Sequence, residues 1–178
     1  DEWQLVSDAI GRLAQLHIYI DDTAGLTIHE VRSKARRLHA EVGVDMVIID
    51  YLQLMQGTAR RDGNRVQEVS EISRNLKMLA RELNIPLLAC AQLSRAVESR
   101  SSHVPMLSDL RESGSIEQDA DMVMFIHREE MYNAETEKKG IAEIHISKHR
   151  NGPLTTIPLR FFSKTTKFTD LEVYRQEP

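Results

Sequence analysis

The sequence predicts an α/β fold, with a mainly parallel sheet, flanking helices and a C-terminal antiparallel hairpin. Three observations carry that expectation. Short, uniformly apolar runs such as "MVII" and "LLACA" fit strands covered on both faces. Between them, apolar residues recur every three or four positions, the period of a helix. Near the end, "NG" at Asn151 and Gly152 separates two stretches of strand character, a hairpin signal, and the following Pro153 leaves the turn type open.

The elements follow in order. Val6, Ile10 and Leu13 suggest an amphipathic helix over residues 4–15, and "HIYI" a short strand ending at Asp21 and Asp22. Thr27 can cap the next helix, with Glu30 as its capping-box partner three residues on. Ile28, Val31, Ala35 and Leu38 form that helix's apolar stripe, with Arg32, Arg36 and Arg37 facing water. "GVD" breaks it, and a strand runs to Asp50. After the loop "QGTARRDGN", the series Val66, Val69, Ile72, Leu76, Leu79 and Leu83 is the strongest helical signal in the chain, and Asn84 ends it. "IPLLACA" reads as a second buried strand, residues 93–110 as a long loop, and "MVMFI", after a short helix, as a third strand like the others. Strands alternating with helices in this way imply parallel pairing through crossovers, and the hairpin adds antiparallel strands at the end.

Bulk composition narrows the class. The chain has 178 residues, enough for one domain with a core, and is 41% hydrophobic and 28% charged, as soluble globular proteins are. No apolar run approaches a membrane span, and the acidic start "DEWQLVSDAI" is unlike a secretory signal. The single Cys90 lies in an apolar run and reads as a buried, inert thiol. These features favour the cytoplasm and no membrane partner. A net charge of −4 argues against a general polyanion-coating protein, though "ARR" at residues 59–61 with Arg65 is a local basic cluster. Such a cluster reads equally well as a solvated loop.

In open parallel sheets, ligands bind beyond the carboxyl ends of the strands. The residues there are Asp21, Asp22, Asp50, Gln92, His127 and Arg128. They form no Ser–His–Asp or Cys–His set, so covalent acyl chemistry is unsupported. The seven histidines and one cysteine show no zinc spacing. Phosphate with Mg²⁺ fits better, because Mg²⁺ takes few carboxylates and keeps its waters. Asp50, ending a hydrophobic strand, stands where phosphate-handling α/β proteins hold that metal. Apolar runs ending in Asp are also common without function. Gln92 could sense a terminal phosphate or orient water, or bond only local backbone.

Four stretches together resemble one family. "VDMVIIDYLQLM", "EVSEISRNLKMLARELNIPLLACAQLSR", "LSDLRESGSIEQDADMVMFIHRE" and "ISKHRNGP" are similar, in order and spacing, to the ATPase domain of replicative DNA helicases of the DnaB family. The resemblance covers nearly the whole chain. It implies a RecA-like fold, ATP and Mg²⁺ as cofactors, and a homo-hexameric ring that moves along single-stranded DNA. It also implies primase and a helicase loader as partners. Asp50 then resembles the aspartate that holds Mg²⁺ through water, and Gln92 the glutamine that reports the terminal phosphate. Lys148 and Arg150 match a Lys-x-Arg pair that reaches a neighbouring subunit's nucleotide; two cations two apart on an extended segment point the same way. Without the resemblance, they read as solubilising charge on a surface hairpin. "RESG" matches a DNA-gripping loop, with Arg111 and the backbone at Gly114 meeting phosphates and Glu112 in the same loop.

The departures are as specific. No G-x-x-x-x-G-K-[ST] occurs in the sequence. Residues 1–178 are therefore expected to be an incomplete RecA-like domain, the portion after the phosphate loop, and inactive as an ATPase alone. An open sheet edge should favour self-association. A different RecA-like ring ATPase, a recombinase or clock-type protein, is the alternative, as is a non-catalytic interaction module.

Overall fold

The computed structural model describes residues 2–57, 65–110 and 114–171. Helix α1 (Glu2–Leu13) buries none of its residues; Val6, Ile10 and Leu13 are all exposed. Its periodicity is helical as expected, but nothing in the described residues covers its stripe. "HIYI" forms no strand. A strand requires a hydrogen-bonding neighbour, and this segment has none among the described residues; Ile18, Tyr19 and Ile20 stand in solvent.

Helix α2 (Ile28–Val42) begins with the expected capping box. Thr27 Oγ1 accepts from the Glu30 N–H at 3.3 Å, and Glu30 Oε2 accepts from the Thr27 N–H at 2.7 Å. The Thr27 N–H, with the Thr27 hydroxyl donating to the same oxygen at 2.7 Å, holds the Glu30 carboxyl below its usual range. Gly43 ends the helix in the left-handed region, at φ 73°, returning its N–H to the His39 carbonyl. Arg32 and Arg36 both reach Glu82, tying α2 to helix α3 (Arg65–Leu83).

Strands β1 (Val47–Ile49) and β2 (Leu87–Ala89) pair in parallel, with Ile49 opposite Ala89. Helix α3 is the crossover between them, as its period predicts. Its buried face, Ile72, Leu76 and Leu79, packs on Ile28, Val31, Leu52 and Met55 to make the main core. The other face of the pair is open: Ile48 is 62% and Leu88 38% exposed, so the expectation of strands covered on both faces fails here. Cys90 is likewise exposed, not buried.

Helix α4 (Gly114–Asp119) leads into a second sheet, ordered β3 (Met122–His127), β4 (Ile141–His149), β5 (Thr155–Phe162) and β6 (Lys167–Asp170). All its pairings are antiparallel. The hairpin across Asn151 and Gly152 is therefore present as β4–β5. The "MVMFI" strand is not a third parallel strand, because its ladder runs antiparallel to β4. Val123, Phe125 and His127 point inward, while Met122, Met124 and Ile126 face solvent. Apolar residues on both faces hid that alternation. A smaller core of Leu110, Val123 and Phe125 shares Ala91 and Ile116 with the main one.

Candidate functional site

Parallel pairing brings Asp50 and Gln92 to the same edge. The β1–β2 ladder continues past the strands: the Cys90 N–H donates to the Ile49 carbonyl at 2.9 Å, and the Leu52 N–H to the Cys90 carbonyl at 2.9 Å. Asp50 follows β1 opposite Cys90, and Gln92 lies two residues beyond Cys90 on the same end of the ladder; both are exposed. Among the described residues neither side chain makes a hydrogen bond or ion pair. An acid and a neutral amide thus stand free beyond the carboxyl ends of adjacent parallel strands.

The chain turns sharply after Asp50 into a single 3₁₀ turn, Leu52–Leu54, because buried Leu52 and Met55 must reach the main core. Gln53 between them faces the other way. Its Oε1 accepts from the Gln92 N–H at 3.1 Å, and its Nε2 donates to the Gln92 carbonyl at 3.3 Å. Arg65 donates to the Gln53 carbonyl at 2.8 Å and pairs with Glu68, whose Oε1 accepts from the Gly57 N–H at 2.6 Å. The Gly57 hydrogen bond, aided by Arg65, holds the Glu68 carboxyl below its usual range against partial burial. Arg65 of the expected basic cluster is therefore occupied internally; Ala59, Arg60 and Arg61 lie outside the described residues. The sequence reading missed Gln53. Its one visible signal is a polar residue enclosed by "YL" and "LM".

Lys148 and Arg150 do point the same way, and they meet on α4. Lys148 Nζ donates to the Glu117 carbonyl and, at 3.3 Å, to that of Gln118. Arg150 Nη2 donates to the Gln118 carbonyl at 2.6 Å, and its Nε lies 3.5 Å from Asp121 Oδ1. Cations at the carbonyl end of a helix satisfy acceptors that lack a helical partner. Lys77 also engages Asp121 and holds its carboxyl below the usual range, with Arg150 adding to the effect. Helix α4 rests on α3 through Ser73 Oγ to Asp119 Oδ2 at 2.9 Å and Ser115 Oγ to Ser70 Oγ at 2.9 Å. Of the expected DNA loop, Arg111 and Glu112 lie outside the described residues, and Gly114 opens α4.

Of the other strand-end candidates, Asp21, His127 and Arg128 are committed elsewhere, whereas the Asp22 side chain makes no hydrogen bond or ion pair among the described residues. Asp21 is taken by Lys34 and Thr23. His127 is buried, which pushes its ring pKa down, and it stacks near Tyr132 at 5.9 Å. Arg128 pairs with Glu130 and lies over the Phe161 ring. No group of three or more metal-ligating side chains exists among the described residues. A hydrated Mg²⁺ needs no such group, since one or two carboxylates plus phosphate oxygens suffice. Asp50 fits that demand, and Gln92 fits a terminal phosphate.

Comparison with known proteins agrees with this architecture. A family described as "DnaB-like helicase C terminal domain" matches residues 1–170. The chain is 54% identical over 172 residues to a replicative DNA helicase, DnaC, of Bacillus subtilis (strain 168), covering 97% of this chain and 38% of that protein. It is 53% identical over 172 residues to the replicative DNA helicase DnaB of Geobacillus stearothermophilus, with the same coverage. One solved structure, of an ATPase domain, superposes with TM-score 0.91 at 44% identity, over 97% of this chain and 61% of that one. Another, "The Structure Of A DnaB-Like Replicative Helicase And Its Interactions With Primase", superposes equally well, over 42% of its chain. The fold is thus that of part of a RecA-like ATPase domain. More narrowly, the chain belongs to the DnaB-like helicase C-terminal domain family. It spans less than two fifths of the length of its curated relatives.

Proposed function

We propose that this chain is the later part of the motor domain of a hexameric, ATP-dependent replicative DNA helicase. One observation carries the reading. A free carboxylate, Asp50, and a free amide, Gln92, both stand beyond the carboxyl ends of two hydrogen-bonded parallel strands. Family membership supplies the context. Mg²⁺·ATP supplies the terminal phosphoryl group whose transfer to water drives the motor. Asp50 would hold Mg²⁺, its carboxylate supplying an anionic ligand beside the phosphates. Gln92 donates its amide N–H toward the terminal phosphate and carries that contact into the loop after β2. Lys148 and Arg150 leave their α4 carbonyls to stabilise charge on a neighbouring subunit's nucleotide, an effect worth about 10³–10⁵ in rate in such enzymes.

Arg111 and the Gly114 backbone grip phosphates of single-stranded DNA, and Glu112 belongs to the same loop. Contacts to backbone rather than to bases suit a motor that crosses any sequence. Primase and a helicase loader are the further partners, and the cytoplasm the compartment. A primase interaction is named for one structural relative. Residues 1–178 contain no phosphate-cradling motif, so the isolated chain does not turn over ATP. The test uses the full-length helicase that carries this segment. Asp50→Asn is expected to abolish DNA-stimulated ATP hydrolysis with the circular dichroism spectrum unchanged. Undiminished turnover removes Asp50 from the site and the reading with it.

A further inference from the structure

We infer that Gln53 is a positioning residue for Gln92: its side-chain amide fixes the backbone from which Gln92 reaches the phosphate. A primary amide carries the same donor and acceptor as a peptide group. Gln53 uses both against one residue, accepting from the Gln92 N–H at 3.1 Å and donating to its carbonyl at 3.3 Å. The main-chain ladder makes its last bond from Leu52 to Cys90. There the chain turns away after β1, and the Gln92 backbone would have no partner. The Gln53 side chain replaces the missing strand. The pairing also settles which end of the amide is oxygen, since only one orientation satisfies both bonds.

Gln53 is itself held from behind. Arg65, at the start of α3, donates to its carbonyl and pairs with Glu68. The Gln92 side chain makes no hydrogen bond or ion pair of its own among the described residues. Its direction therefore follows from its backbone, and that backbone from Gln53. Displacing a group that meets substrate by about 1 Å can cost about 100-fold in rate, so a lost clamp should appear in turnover rather than in nucleotide affinity.

The inference rests on the reading of Gln92 as the residue that meets the phosphate, and the experiment separates the two. In the full-length helicase, Gln53→Ala, Gln53→Glu and Gln92→Ala are prepared, together with the Gln53→Ala, Gln92→Ala double variant. Gln53→Glu keeps length and volume, but replaces the NH2 donor with a second acceptor oxygen and adds a negative charge. Both Gln53 variants are expected to lower DNA-stimulated kcat by about 10–100-fold. Binding of a fluorescent ATP analogue and the melting temperature should stay unchanged. Adding Gln53→Ala to Gln92→Ala should cause no further loss. If Gln92→Ala is impaired while both Gln53 variants turn over normally, the positioning role is wrong and the reading of Gln92 stands. A further loss in the double variant also overturns it, because Gln53 would then act independently. Normal turnover in Gln92→Ala ends both. Should Gln53→Ala fail to fold, Gln53→Glu carries the test, and failure of both to fold makes Gln53 structural and overturns the inference.

Discussion

At the scale of single residues, Asp21 and Asp50 both end apolar runs, and only Asp50 matches the family's metal-holding aspartate. Their partners differ too. Asp21 Oδ1 accepts from the Thr23 N–H at 3.1 Å and hydroxyl at 2.6 Å, and Oδ2 from Lys34 at 2.6 Å. Asp50 has no such partner among the described residues. The Lys34 hydrogen bond, with those of Thr23, lowers the Asp21 carboxyl from its ordinary 3.8 to about 2. A carboxyl depressed on folding adds stability above its unfolded pKa. That contribution fades as pH falls from about 4 through about 2, because the unfolded chain takes up the proton first. Lys34→Ala should move the Asp21 midpoint back toward 3.8, read by NMR titration of its side-chain carbonyl carbon. A midpoint still near 2 would mean that Thr23, not Lys34, sets it. Gln53 leaves little trace in the sequence, because the residue it bonds, Gln92, lies 39 positions away along the chain.

At the scale of elements, legibility followed how local the determining contacts are. The capping box at Thr27 and Glu30 spans three residues, and it was readable. Thr27→Ala should cost about 1 kcal/mol, seen as a lower urea midpoint at unchanged slope. The α3 stripe was readable for the same reason, since one helix face repeats every turn. Leu79, fully buried in the main core, should cost about 2–5 kcal/mol on truncation to Ala; a loss under about 1 kcal/mol would show that the core collapses around it. Strand partners are not local. "HIYI" has strand composition and no neighbour among the described residues, and "MVMFI" has the look of a parallel strand but pairs with β4. Strand β6, unforeseen, extends the antiparallel sheet through Phe168, which packs 4.8 Å from the Phe161 ring.

At the scale of the whole molecule, two arrangements each yield a prediction. Lys148 and Arg150 engage the end of α4, which rests on α3, whose first turn braces Gln53. If these cations serve a neighbour's nucleotide, Arg150→Ala and Asp50→Asn subunits should complement in mixed rings. Each defect then lies on one side of a shared boundary, so some boundaries remain intact. Mixed full-length rings with no more ATP hydrolysis than either parent ring would argue against a role across subunits. The second arrangement is the uncovered apolar surface. Ile48 and Leu88 on the parallel pair, Met124 and Ile126 on β3, and the apolar stripe of α1 face solvent. Isolated apolar residues on a surface are ordinary, but the open face of a strand pair and a helix without one buried residue are not. The chain spans 61% of the solved ATPase domain it resembles. Residues 1–178 made alone should therefore sediment as a concentration-dependent mixture of oligomers and bind a fluorescent apolar dye. The same residues within a full ATPase domain should bind less. A dye-negative monomer at all concentrations would show that these faces are quiet in water, and that the chain needs no cover.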